Sequence, residues 1–258
     1  MSIKLTKRMK CIADMVTPGK SVADIGCDHG YVSIYLVEEG IADRVYAMDV
    51  AEGPLGNARE SIAERGLSDK IEARISNGFD ALEEGESNLA VIAGMGGMLI
   101  IDIISRGLHK MKAGYELVLS PQSDIPLVRR YLREHGFRII DEDMLSEDGK
   151  YYCVIKARLE DTVYFDVDNG RAGSACMKEE KMARTTDEDK LLQIYDMYGE
   201  KLIEKKNPVL KEYLEKQMEK YQGIFCRISK SSGEGAAERM LQIRSELALM
   251  EEVINNWG

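Results

Sequence analysis

Residues 22–31 read Val22-Ala23-Asp24-Ile25-Gly26-Cys27-Asp28-His29-Gly30-Tyr31, an apolar strand running into a loop of pattern D-x-G-x-D-x-G. Gly26 and Gly30 allow backbone angles and close approaches that a Cβ would block, while Asp24 and Asp28 set carboxylates beside the opening. A dinucleotide fingerprint would be G-x-G-x-x-G, with bare backbone N–H groups turned toward a pyrophosphate. Two acids would repel that ligand. They suit a cationic or zwitterionic nucleoside without phosphate, and S-adenosylmethionine, with its ammonium and sulfonium, has that chemistry.

Asp49 closes a second apolar run, Arg44-Val45-Tyr46-Ala47-Met48-Asp49-Val50, where a neighbouring parallel strand should finish. A carboxylate there can take both hydroxyls of a ribose. Alone it could equally cap the following helix. Beside the first loop the ribose role is the better reading.

At 258 residues the chain has room for one large domain and a smaller one, since domains usually run about 100–200 residues. No apolar run reaches the roughly 18–20 residues of a membrane span, and no signal-type core follows Met1, so a soluble, cytoplasmic protein is expected. Five cysteines, Cys11, Cys27, Cys153, Cys176 and Cys226, form no C-x-x-C pair, and His29, His109 and His135 show no ligand spacing. Neither a disulfide framework nor a metal is expected, and no obligate protein partner is evident.

The net charge of −10 argues weakly against a polyanionic partner, because local basic surfaces decide such contacts. Three basic clusters are present: Lys4, Lys7, Arg8 and Lys10; Arg129, Arg130 and Arg133; and Lys201, Lys205, Lys206, Lys211, Lys216 and Lys220. The third is interleaved with Glu204, Glu212, Glu215 and Glu219, so a solvated helix face explains it as well as a phosphate contact does.

Apolar runs at 21–25, 44–49, 71–76, 89–93, 116–120, 138–144 and 151–157 read as strands, with helical patterns between the first five. Ser146-Glu147-Asp148-Gly149-Lys150 should turn the last two into a hairpin, adding an antiparallel edge to a parallel sheet. Such a sheet is the α/β, doubly wound, seven-stranded architecture of class I methyltransferases. Beyond residue 160 only 162–167 resembles a strand, and Asn169–Ser174 reads as a linker. Three apolar stripes follow: Leu191, Tyr195, Tyr198 and Leu202; Leu210, Leu214, Met218, Tyr221, Phe225 and Ile228; and Met240, Ile243, Leu247, Met250, Ile254 and Trp257. Asn207-Pro208 and Ser231–Gly235 break them apart. The expected layout is a methyltransferase domain over 1–160 and a coiled-coil-like helical hairpin over 170–258.

The fourth strand leads into Ala93-Gly94-Met95-Gly96-Gly97-Met98, which should face the cofactor loop, because carboxyl ends of parallel strands share one crevice. Gly96 and Gly97 could clear space for a flat base, or only shape a tight strand-to-helix turn. No Asp/Asn-Pro-Pro-Tyr tetrad, the mark of many amino-group methyltransferases of nucleic acids, stands here. The acceptor should therefore be an atom with a free lone pair, such as a ring nitrogen.

Together, Asp24–Tyr31, Asp49-Val50-Ala51-Glu52-Gly53-Pro54-Leu55, Ala93–Gly97 and the helical hairpin resemble the bacterial tRNA (adenine-N1)-methyltransferases acting on position 22, in the D-arm. The resemblance spans nearly the whole chain, and D-H-G-Y and G-M-G-G are its specific parts. It departs at Leu119-Ser120-Pro121-Gln122-Ser123-Asp124, where Gln would be expected before the proline, which leaves the role of Gln122 open. It implies S-adenosylmethionine as donor and tRNA as substrate, gripped partly by the helical domain. A methyltransferase of a small molecule or protein is the alternative, and would not need the basic hairpin.

The expected cofactor contacts are Asp24, Gly26, Cys27, Asp28, Gly30, Asp49, Val50, Asn77, Gly78 and Gly94, with Phe79 stacking on the cofactor adenine. Asp28, His29, Tyr31, Met95, Gly96 and Gly97 are expected at the reacting centre, although His29 could instead pack the loop. Lys7, Arg8, Lys206 and Lys211 are expected to meet the tRNA.

Overall fold

A computed structural model describes residues 3–160, 164–166, 171–173, 186–229, 235–255 and 257. The chain divides into two compact units, Met1–Thr185 and Thr186–Gly258.

In the first unit seven strands form one sheet: β1 (Lys20–Ile25), β2 (Ala42–Asp49), β3 (Ile71–Ile75), β4 (Leu89–Ala93), β5 (Glu116–Ser120), β6 (Phe137–Glu147) and β7 (Lys150–Leu159), in the order β3-β2-β1-β4-β5-β7-β6. β4 and β5 have the expected bounds. They read cleanly because a strand covered on both faces is a continuous apolar run, and every residue of Glu116–Ser120 is buried. Helices α1 (Lys7–Asp14), α2 (Tyr31–Glu38), α3 (Glu52–Glu64), α4 (Gly97–Gly107) and α5 (Ile125–Glu134) accompany the sheet. The hairpin turn has Asp148 and Gly149 both at positive φ, 51° and 75°, the geometry of a tight turn matching strand twist. β7 inserts between β5 and β6, antiparallel to both, so the sheet edge is β6.

The register sets the site. β1 pairs in parallel with β2 and β4, with Ile25 opposite Met48 on one side and Ile92 on the other. Asp49 and Ala93 therefore flank the end of β1, and the D-x-G-x-D-x-G loop emerges between them.

The Arg129 cluster is corrected by burial. Arg129 on α5 is inside the protein, its Nε donating to Glu142 Oε1 on β6 at 2.7 Å and its Nη2 lying 3.3 Å from Cys153 Sγ on β7. Paired charges of this kind are tolerated inside because each satisfies the other. Arg130 is exposed.

A short ribbon follows the sheet, β8 (Tyr164–Asp166) pairing antiparallel with β9 (Arg171–Gly173). β9 falls in the stretch read as a linker; the remainder of the expected 162–167 strand and of Asn169–Ser174 lies outside the described residues, as do residues 231–234 of the expected second break.

The second unit comprises α6 (Thr186–Tyr198), α7 (Glu200–Glu204), α8 (Pro208–Ile228) and α9 (Ala236–Asn255). Gly199, at φ 88°, splits the first expected stripe into two helices. Asn207 caps α8, its Oδ1 accepting from the N–H groups of Val209 and Leu210 at 2.9 and 3.1 Å, and Pro208 opens the helix. α8 packs on α9. Ile194, Tyr198, Leu202, Leu210, Leu214, Ile243 and Met250 are buried, but so are Leu249 and Val253, outside the expected coiled-coil stripe, while Leu191 is exposed. Lys190 on α6 pairs with Glu252 on α9, and the buried face of α9 is wider than a two-helix seam. In the lysine-rich cluster, Lys201 pairs with Glu204, Lys211 with Glu215 and Lys216 with Glu212.

Among the described residues no helix is long and apolar enough to cross a membrane.

Candidate active site

A cleft of about 310 Å³ opens where β1, β2 and β4 end, lined by Arg8, Met9, Ile12, Asp24, Gly26, Cys27, Asp28, His29, Tyr31, Val32, Asp49, Val91, Ala93, Gly94, Met95 and Gln122.

Its floor is the β1 loop. The N–H groups of Gly26 and Cys27 both donate to the Met48 carbonyl, at 2.7 and 3.0 Å, which carries the strand pairing into the loop. Gly26, Asp28 and Gly30 all have positive φ, 73°, 51° and 72°. Asp28 is the one carrying a side chain, a conformation that Asp adopts more readily than most residues. A Cβ on Gly30 would lie 3.2 Å from Ala58 Cβ, so Gly30 serves the packing of α3 and does not line the cleft.

Three carboxylates define the electrostatics. Asp49 Oδ2 accepts from the Asp28 N–H at 3.2 Å and Oδ1 from the Ala51 N–H at 2.9 Å, tying the first loop to the second. Asp24 is buried and accepts from the Ser33 hydroxyl at 2.6 Å. Burial pushes its pKa up to about 6, the Asp49 charge adds to that rise, and the Ser33 hydrogen bonds oppose it. Burial, reinforced by Asp24 and Asp49, raises the Cys27 thiol; it remains a neutral wall group, not a nucleophile. His29 stacks on Tyr31 with ring centroids 5.6 Å apart, and its Nε2 lies 3.6 Å from Asp28 Oδ1.

The opposite wall joins α1 to the β4 loop. The Arg8 guanidinium lies 5.2 Å from the Tyr152 ring centroid, a cation–π contact that orients it. The Gln122 N–H donates to the Met95 carbonyl at 2.9 Å, bringing the β5 loop to the β4 loop.

Several expected residues stand elsewhere. Val50 is exposed beyond Asp49. Asn77 Oδ1 accepts from Arg106 Nη2 at 3.2 Å, and a Cβ on Gly78 would meet Ile103 Cγ2 at 3.1 Å; neither lines the cleft. Phe79 is buried against Gly107, where a Cβ would lie 2.2 Å from its ring, so it fills the core and has no free face for a cofactor base. Gly96 and Gly97 are also outside the lining. The Gly97 N–H donates to the Ser123 carbonyl at 3.1 Å, and a Cβ there would lie 2.4 Å from that oxygen, so the α4–α5 junction accounts for its size. Lys7 is exposed, its N–H donating to Glu147 Oε1 at 2.7 Å. Lys206 and Lys211 belong to the helical unit. Conversely, Met9, Ile12, Val32, Val91 and Gln122 line the cleft with no motif to mark them.

These groups suit S-adenosylmethionine. The donor set is carboxylates with no phosphate cradle, matching an ammonium, a sulfonium and a ribose, and Gly26 and Gly94 keep the floor low. Among the described residues no three His, Cys, Asp or Glu side chains gather as metal ligands would.

The comparisons with known proteins agree with this chemistry. A curated tRNA (adenine(22)-N(1))-methyltransferase of Bacillus subtilis is 29% identical over 257 residues, covering 98% of each chain. The crystal structure of TrmK, a tRNA methyltransferase from B. subtilis, superposes with a TM-score of 0.77 at 28% identity, over 98% of this chain and 99% of that one. A Streptococcus pneumoniae structure in complex with S-adenosyl-L-methionine matches with a TM-score of 0.75 at 27% identity, over 97% and 99%. The family model described as Methyltransferase domain matches residues 5–155, the stretch that builds both the sheet and the cleft, and the chain belongs to that family.

Proposed function

We propose that this chain transfers a methyl group from S-adenosylmethionine to N1 of the adenine at position 22 of tRNA. The observation that carries the reading is the convergence of Asp24, Asp28 and Asp49 on one cleft. The full-length similarity to the B. subtilis enzyme supports the choice of acceptor.

When bound, S-adenosylmethionine supplies a sulfonium methyl that the adenine N1 lone pair takes in line: the N–C bond forms as C–S breaks, its electron pair passes to sulfur, and the positive charge moves to the base. The chain's own residues then have three tasks. Asp49, held by two N–H groups, would take the ribose hydroxyls with its remaining lone pairs. Asp24 and Asp28 would balance the donor's cationic amino-acid end. Arg8, Tyr31, Met95 and Gln122 form the wall that meets the base and keeps water out. Since N1 already exposes a lone pair, no general base is required, and positioning carries most of the acceleration. Lys206 and Lys211 in the helical unit would add phosphate contacts, which weaken as salt rises.

Incubation with labelled donor and two tRNA transcripts, one with adenine and one with guanine at position 22, tests the reading. Label should enter the first alone. Equal labelling of both, or labelling of neither, would overturn it.

A further inference from the structure

Helix α4 changes character along its exposed side. Ile100, Ile103 and Ile104 face the core, and one exposed turn carries the ion pair Asp102–Arg106 at 3.0 Å. At the end that follows the cleft residue Met95, the exposed residues are instead Met98, at 57%, and Leu99, at 49%. Helix α5 repeats the pattern: Leu127 in its first turn is 41% exposed, and the exposed residues farther along are Arg130 and Glu134. The two first turns meet at Gly97, where an added Cβ would lie 3.0 Å from both Asp124 Cβ and Val128 Cγ2. Apolar surface is thus confined to the cleft end of both helices.

Three side chains are too few for a stable protein interface, which needs about 800 Å² per partner. They follow the cleft along the chain, however, because Met98 and Leu99 lie three and four residues beyond the wall residue Met95 and Leu127 five beyond Gln122. Resting on the proposed tRNA reading, the target adenine must leave its stack, and its pair where it has one, before N1 can enter. Met and Leu are side chains that enter unstacked base steps. We propose that Met98, Leu99 and Leu127 form an apolar wedge that fills the gap left in the RNA stack when the target nucleotide turns into the cleft.

The test uses the full chain with a Met98→Gln, Leu99→Gln double variant and, separately, Leu127→Gln. All three positions are exposed, so melting should match the parent. Two tRNAs are compared, one with the target adenine paired and one with its partner replaced so that no pair forms. The wedge predicts a loss in kcat/KM of about tenfold or more on the paired RNA and about threefold or less on the unpaired one, with donor affinity unchanged. With 2-aminopurine at the target position, the parent should raise fluorescence on binding and the variants should raise it less. Equal losses on both RNAs, no loss on either, or a changed oligomeric mass with an unchanged fluorescence rise would overturn the wedge. A parent inactive on both RNAs would refute the functional reading instead, and the fluorescence change, which needs no turnover, would still decide the wedge.

Discussion

Replacing Asp24 with Asn separates the cost of a buried carboxylate from its use. The side chain sits near the end of β1, its pKa raised from 3.8 to about 6 chiefly by burial. That rise of roughly two units corresponds to about 3 kcal/mol of native-state destabilisation at neutral pH, because one unit is worth about 1.4 kcal/mol. The sign comes from linkage. A carboxyl group whose folded pKa lies above its unfolded value costs stability wherever it is ionised in both states, and the cost fades as pH falls through about 6 toward 3.8. Asn keeps an oxygen for the Ser33 hydroxyl and carries no charge. The stability gap between Asp24→Asn and the parent, both without donor, should therefore favour the variant more at pH 7.5 than at pH 4 by about 2–2.5 kcal/mol, since a residue of the cost persists at pH 4. Urea unfolding across that range measures it, and comparing gaps removes any constant penalty of the new amide. Affinity should move the opposite way. Losing a charged hydrogen-bond acceptor costs about 1.5–3 kcal/mol, a fall of roughly 10- to 150-fold in calorimetry with S-adenosylmethionine. A pH-independent gap, or unchanged affinity, would refute this account of Asp24.

Three other outcomes rest on single contacts. Arg129→Met removes the guanidinium that donates to the buried Glu142 carboxylate and should cost about 3–5 kcal/mol in urea unfolding; a cost below about 1 kcal/mol would show that the pair is dispensable. Gly97→Ala drives a Cβ toward the Ser123 carbonyl and should lower stability by about 1–3 kcal/mol with activity falling in parallel; lost methyl transfer at unchanged melting would return Gly97 to the substrate site. Lys206→Glu with Lys211→Glu should weaken tRNA binding and flatten its salt dependence while leaving donor affinity unchanged; tRNA affinity equal to the parent's at low salt would remove the helical unit from the RNA interface.

Features set by local chemistry were legible in the residues alone. The D-x-G-x-D-x-G loop, Asp49 at a strand end, the apolar β4 and the apolar centre of β5 announce themselves because backbone freedom, charge and double-sided burial each leave a mark in sequence. Arg129 left none: it sits beside two other arginines, and only its distant partner Glu142 distinguishes an interior ion pair from a basic surface. The packing of Phe79 and Gly97 left no mark for a related reason, since the Gly107 notch and the Ser123 carbonyl that they meet lie far along the chain. Leu249 and Val253 escaped a strict 3,4 stripe because the buried face of α9 is broader than one seam. Gln122 and the apolar lining of the cleft carry no motif, and only the register of β4 and β5 brings them in. Strand β9 is too short to rise above a Gly-rich stretch.

The most direct test of the central claim is mass spectrometry of the nucleosides released from tRNA after incubation with this protein and S-adenosylmethionine, with the modified position mapped by fragment sequencing. The account predicts 1-methyladenosine at position 22. Methylation of another base or of an exocyclic nitrogen, or no modified nucleoside from a tRNA carrying adenine there, would contradict it.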